Sequence, residues 1–456
     1  MSSNMLLKMV LKRKKESSFN MSNNTSCSCP ALLISAPASG QGKTTFTAAL
    51  ASYHRNQGRS VRVFKTGPDF LDPMILEYAS GHPVYQLDLW MVGEAACKTL
   101  LYEAAKEADL ILIEGVMGLF DGSPSSADLA QTFGIPVLAL IDAGAMAQTF
   151  GAIAHGLSNY KTELPFAGVI ANRVASKGHA DMLAESVSSE TTFYGSFMRD
   201  ENITFPDRHL GLFQADEISD LDSKLNQAAE LIEKTRLKNL PDKIEFKQSS
   251  PTEIAPSLKG IKIGIAKDEA FSFIYPANID TLKKSGAEIT YFSPLNDTSL
   301  PEVDSLWLPG GYPELHLQTL QNNSMMRNAI KQHYHNNKPI LAECGGMLYL
   351  LNSLTDKEGN KAEMTGIIQG DGVMQQKLAG LGMQEVELNA NKITAHTFHH
   401  SSMTTVLSPV THGIRQRGGS LGEPVFKMNK LTASYLHLYF ASNPTAITEI
   451  FNLYYE

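Results

Sequence analysis

Several stretches of this chain carry residue types that chemistry requires. Ser39-Gly40-Gln41-Gly42-Lys43-Thr44-Thr45 lies between a short apolar run and an Ala-rich stretch. Strand, glycine loop, Lys-Thr and helix together wrap a polyphosphate. Backbone N–H groups and the helix N-terminus face the anion, the lysine meets its outer charges, and the hydroxyl reaches Mg²⁺. Gly40, Gly42, Lys43, Thr44 and Thr45 are the candidate ATP contacts. Pro37 stands where the first glycine of G-x-x-x-x-G-K-[ST] would fall, so the flanking strand and helix carry the assignment. An ordinary strand–turn–helix corner is the bland alternative.

Acidic groups follow at the ends of later apolar runs. Lys65-Thr66-Gly67-Pro68-Asp69-Phe70-Leu71-Asp72-Pro73 sets two carboxylates three apart on a loop. Acids facing a nucleotide hold Mg²⁺ or position a substrate, although Asp before Pro also suits a plain turn. Leu110-Ile111-Leu112-Ile113-Glu114 closes an apolar strand with an acid, as in a Walker B site. Gly115, Gly118, Asp121 and Gly122 then form a loop able to approach a ligand closely. Thr44, Asp69 and Glu114 are the candidate metal contacts. Asn172-Arg173 ends another strand, where such residues border a nucleotide base and where any loop also offers polar groups.

A second constellation lies far along the chain. In Ala342-Glu343-Cys344-Gly345-Gly346-Met347 a cysteine sits at a sharp strand-to-helix turn, the nucleophile-elbow arrangement. The helix N-terminus is expected to lower the thiol pKa from about 8.5. A buried structural cysteine is the competing reading. Leu308-Pro309-Gly310-Gly311-Tyr312 supplies backbone N–H donors for an oxyanion, and Ser434-Tyr435-Leu436-His437 ends a strand with a base. Cys344, His437, Gly310 and Gly311 together describe thiol acyl transfer. Ala395-His396-Thr397-Phe398-His399-His400-Ser401 invites a metal reading. However, it lacks an accompanying carboxylate, and strand alternation sends His396 and His399 to opposite faces. A substrate-facing or structural role fits better.

These residues need strands to hold them. Ala31–Ser35, Val61–Lys65, Leu110–Glu114, Pro136–Ile141 and Phe166–Asn172 read as strands alternating with helices, which gives a parallel sheet with sites at its C-terminal edge. A second α/β series begins at Ile261 and becomes richer in strands toward the C-terminus. The expected division is a disordered basic extension over 1–29, an ATP-binding domain over 30–240, a Pro-interrupted linker over 241–259 and a second catalytic domain over 260–456. Lys8, Lys12, Arg13, Lys14 and Lys15 head the extension, and Met21 is an alternative start. A length of 456 residues suits two or three domains. The net charge of −8 argues against nucleic acid as a partner. No apolar run approaches the roughly 20 residues that span a bilayer. Cys27, Cys29, Cys97 and Cys344 form no disulfide framework, and a reducing cytoplasm is expected.

G-P-D-x-x-D-P and E-G-x-M-G-L-x-D-G in the first half, with L-P-G-G-Y-P-E, A-E-C-G-G-M and S-Y-x-H in the second, resemble the cobyrinate a,c-diamide synthase family. The resemblance runs from Ala31 onward. It implies an α/β chain in which a P-loop, dethiobiotin-synthetase-like domain precedes a class I glutamine amidotransferase-like domain. It further implies ATP and Mg²⁺ as cofactors, glutamine and a corrin or other tetrapyrrole polycarboxylate as partners, and room for a homodimer. Carried over, the glutaminase nucleophile falls on Cys344 and the histidine on His437. The ATP and Mg²⁺ contacts fall on Lys43 and Thr44, and activity-linked positions on Asp69, Leu71, Asp72, Glu114 and Asp121. Typical class I amidotransferases place Glu two residues after the histidine. Here Tyr439 stands there, as in the cobyrinate branch, which leaves open what orients His437. The family's G-H-x-F-H-Y-S appears with Ala395 for Gly and His400 for Tyr. Ni-sirohydrochlorin and hydrogenobyrinate a,c-diamide synthases and cobyric acid synthase are the related readings. A ParA/MinD-like switch would need a second early lysine, which Pro37-Ala38-Ser39 lacks. A regulator with a degenerate amidotransferase half conflicts with an intact Cys344 and His437.

Overall fold

The computed structural model describes residues 26–205, 207–208, 211–212, 214–249 and 253–453. The basic stretch from Lys8 to Lys15 and Met21 lie outside them. The apolar runs of the first half form a sheet in the order Tyr85–Leu87, Val61–Thr66, Leu110–Glu114, Ser26–Ser35, Val137–Asp142, Phe166–Val174 and Phe193–Met198. These neighbours are parallel. Both faces are buried, which explains runs with no polar alternation. Leu33, Ile111, Ile113 and Val137 face one apolar core, while Leu32, Ile34, Leu112 and Leu138 face the other. From Ser35 the chain moves to one side of the sheet, returns, and passes to the other. The loops after Ser35, Glu114 and Asp142 therefore open at a topological switch point.

The boundaries differ from expectation at both ends of this half. The strand begins at Ser26, and Lys243–Lys247 pairs with it antiparallel, with Cys27 opposite Phe246 and Cys29 opposite Ile244. Cys29 and Phe246 are buried in the same core. Residues 26–29 are thus sheet, and the stretch 241–259 starts with a strand. Its clean K-I-E-F-K alternation was masked by the prolines that follow.

The second half forms a sheet in the order Glu288–Phe292, Lys262–Ala266, Ser305–Leu308, Ile340–Glu343, Leu431–Ser434, Leu421–Met428, Thr411–Arg415, Gly380–Leu388, Asn391–His399 and His437–Leu438. The first five are parallel and the rest antiparallel. The halves meet along a packed seam. Tyr275 donates from its hydroxyl to Pro68 O at 3.1 Å, and Tyr85 to Asp280 Oδ2 at 2.7 Å. Tyr275, Ala277 and Tyr439 join the apolar core of the first half. Among the described residues no helix is long and apolar enough to cross a membrane.

Candidate active site

The phosphate loop forms where its glycines permit. Gly40 and Gly42 have φ of 76° and 87°, a left-handed backbone that glycine adopts at little cost. A Cβ on Gly42 would lie 2.6 Å from Asn172 Nδ2, which itself donates to Gln41 O at 2.7 Å. Thr44 donates from Oγ1 to Glu114 Oε1 at 2.9 Å, so the P-loop hydroxyl and the strand-end acid meet. Lys43 donates to Met117 O at 2.7 Å, and burial lowers its pKa. Arg173 pairs with Asp142 at 2.5 Å. Gln41, Gly42, Thr45, Asn172 and Arg173 border a cavity of about 670 Å³, suited in position to a base or ribose.

Beside the loop is a buried ion cluster. Lys65 is 2.5 Å from Asp72, 2.7 Å from Glu114 and 3.8 Å from Asp69. Burial opposes the charge on Lys65, but Asp72 and Glu114 outweigh it and hold the ammonium above its usual range. Asp72 is likewise lowered, because Lys65 overcomes the effect of burial. Burial raises Glu114, and burial with the Asp72 charge pushes Asp69 up to about 7. Asp69 Oδ1 also takes the Leu71 N–H at 2.9 Å, a side-chain turn that leads into the helix starting at Leu71. Asp121 stands apart from the cavity that Asp69, Leu71 and Asp72 line. Its carboxylate caps Gly118 N at 2.9 Å, so it shapes the loop.

In the other half Cys344 has φ 46° and ψ −107°, the strained turn of a nucleophile elbow. A Cβ on Gly346 would lie 2.0 Å from Leu308 O, which is why glycine follows the nucleophile. The expected lowering of the thiol pKa is overturned. Burial raises it, the Glu314 charge adds to that, and the Gly345 N–H opposes them only in part. His437 is lowered to about 3 by burial and is neutral at pH 7, as a proton acceptor must be. Gly310 packs on the imidazole, where a Cβ would stand 2.2 Å from Cε1. Phe70 lies 5.0 Å from the His437 ring and stacks on Phe273 and Tyr275.

Cys344, His437 and Gly311 share one cavity of about 880 Å³ with Asp69, Leu71 and Asp72. His396 and His399 both line it, against the expectation of opposite faces. His396 pairs in register with His437, whereas His399 ends its strand and turns inward, held by Ser401 O at 2.8 Å. Among the described residues no group of His, Cys, Asp and Glu is arranged to hold a metal by itself.

Comparison with known families assigns both halves. Residues 32–212 match the CobQ/CobB/MinD/ParA nucleotide binding domain, and residues 262–445 the CobB/CobQ-like glutamine amidotransferase domain. The chain is 56% identical to hydrogenobyrinate a,c-diamide synthase of Stutzerimonas stutzeri, over 92% of this chain and 98% of that one. It is 54% identical to the Pseudomonas aeruginosa protein of the same name, over 92% and 97%. It is 47% identical to cobyrinate a,c-diamide synthase of Herminiimonas arsenicoxydans, over 92% and 96%. The chain belongs to the a,c-diamide synthase family.

Two further residues beside these groups, Lys65 and Glu343, lie within stretches the sequence singles out, yet their own side chains drew no role there. Lys65 reads as the last apolar-strand position, and only a count of unpaired acids around it would have drawn notice. Glu343 takes the Leu438 N–H at 2.8 Å and the Trp307 indole N–H at 2.9 Å, and burial pushes its pKa up to about 8. It ties the strand bearing His437 to the one bearing Cys344, while Nδ1 of the His437 ring has no hydrogen-bond partner among the described residues. Glu343→Ala leaves two buried N–H groups unpaired, each worth about 1–3 kcal/mol. A loss of about 2–4 kcal/mol in denaturant unfolding is expected, and a change under 0.5 kcal/mol would refute this role.

Proposed function

We propose that the chain uses ATP and glutamine to amidate the a and c acetate carboxylates of a corrin ring, cobyrinate or its cobalt-free form hydrogenobyrinate, in cobalamin biosynthesis. The observation carrying this reading is the one cavity that Cys344 and His437 line together with Asp69 and Asp72. Cys344 Sγ attacks the glutamine carboxamide as its proton passes to His437 and then to the departing ammonia. Water cleaves the resulting thioester to glutamate. A substrate carboxylate attacks the γ-phosphorus of ATP with ADP leaving. Ammonia then displaces phosphate from the acyl phosphate.

Ammonia released beside the acyl phosphate reacts before solvent protonates it, whereas ammonia from free solution at neutral pH arrives mostly as ammonium. Lys43 and Lys65 offset charge on the transferring phosphoryl group. Thr44 and Glu114 offer hard oxygen donors. Glu114 Oε2 has no partner among the described residues, and this fits Mg²⁺, which needs few protein ligands; Asp69 is the third candidate. Mg²⁺ would supply charge neutralisation at the phosphates. Asn172 and Arg173 border the nucleotide base. Consumption of ATP and glutamine supports a cytoplasmic setting for the enzyme.

Incubation with ATP, Mg²⁺ and glutamine against cobyrinate, hydrogenobyrinate and Ni-sirohydrochlorin tests the reading. Mass spectrometry should count two added amides on a corrin ring, and no gain on any of the three would reject it. The hydrogenobyrinate names of the two relatives above 50% identity favour the cobalt-free ring as the better substrate.

A further inference from the structure

The cavity extends well beyond the groups that the reaction consumes. Its outer part is lined by Met117, Leu381 and Phe398, which are 43%, 55% and 40% exposed. Large apolar side chains left open around one concave site mark a ligand surface. Next to them are Arg415 and Arg417, with no carboxylate at ion-pair distance among the described residues, and His396, whose Nδ1 is buried without a partner. The arginines sit on a fixed turn: Arg415 N donates to Ser420 O at 2.9 Å, and Gln416 Nε2 donates across to Ser123 O at 2.7 Å. That last bond ties the turn to the glycine loop of the ATP-binding half.

We propose that this outer region, which the amidotransferase half supplies apart from Met117, is the binding site for the body of the substrate. The apolar side chains cover a face of a flat macrocycle. Arg415 and Arg417 hold peripheral carboxylates that are not being amidated. A polycarboxylate ring needs both features at once, because planar guanidinium groups match carboxylates while the ring face needs an apolar floor. Specificity for ring and register then comes mainly from the amidotransferase half, and activation from the ATP-binding half. This subsite rests on the proposed function, since it takes the same substrate.

Binding of hydrogenobyrinate to the full chain, without ATP or glutamine, can be followed by protein fluorescence quenching. For Arg415→Ala and for Arg417→Ala the Kd should rise about tenfold each, and about a hundredfold together. Arg415→Lys should recover part of the loss. Lys106→Ala, which lies outside the cavity lining, should bind as the parent does. A double arginine variant that unfolds at the parent's temperature and binds within twofold of it would overturn the subsite, even if the parent amidates the ring. A parent that binds the ring in an arginine-dependent way and adds no amide would reject the function and support the subsite. A parent that does not bind the ring overturns both.

Discussion

Cys344→Ala should abolish glutamine-dependent amidation, by a factor of at least about 10³, while ammonium salts still support the reaction. The split follows from the two separate sets of groups that line the cavity. Removing Sγ deletes the thioester step and touches none of Lys43, Lys65, Asp69 or Asp72. Ammonia-supported turnover should rise with pH as the free base becomes available. Loss of both activities would sink the division of labour between the halves. The elbow geometry adds a second expectation. Alanine keeps the strained φ of 46°, whereas Cys344→Gly relieves it. The glycine variant should be equally inactive with glutamine yet more stable by about 1 kcal/mol. A glycine variant less stable than the alanine one would refute strain at this turn.

Much of this site was legible because backbone geometry forces particular residue types. Lys43-Thr44 after glycines, Glu114 at a strand end and Cys344 before two glycines each report a local conformation that few sequences meet, and the structure brings them to strand ends as expected. Pairing across long sequence distances was not legible. Lys65 gains its role from Asp72 and Glu114, and Glu343 from Trp307 and Leu438, none of which a local pattern connects. The strand Lys243–Lys247 was missed because it closes a sheet begun about two hundred residues earlier. The thiol of Cys344 misled in another way: a helix terminus lowers a thiol pKa only as far as burial permits, and here burial dominates. His399 shows the limit of period-two counting, which fails at the last residue of a strand.

Lys65 is where stability and chemistry meet most sharply. Its ammonium is 2% exposed and is the cation between Asp72 and Glu114, the latter with no exposed side-chain surface. Lys65→Met preserves bulk but leaves those carboxylates buried without compensation, a change that costs about 3–5 kcal/mol. The pH dependence separates this mechanism from simple misfit. Without the lysine, the folded-state pKa values of Asp72 and Glu114 must rise above their unfolded values. Groups raised in this way support the fold at low pH and cease to do so as pH climbs through the raised pKa. The variant should therefore lie nearest the parent in denaturant stability at pH 5 and farthest from it at pH 8. A deficit that is constant across this range would point to packing instead. Under the proposed function Lys65 offsets charge on the transferring phosphoryl group, so ammonia-supported amidation, measured where the variant is folded, should also fall by at least about a hundredfold. Full activity in a destabilised variant would confine Lys65 to holding the acids in place. The same residue would then explain why three carboxylates can stand beside a nucleotide site without repelling it.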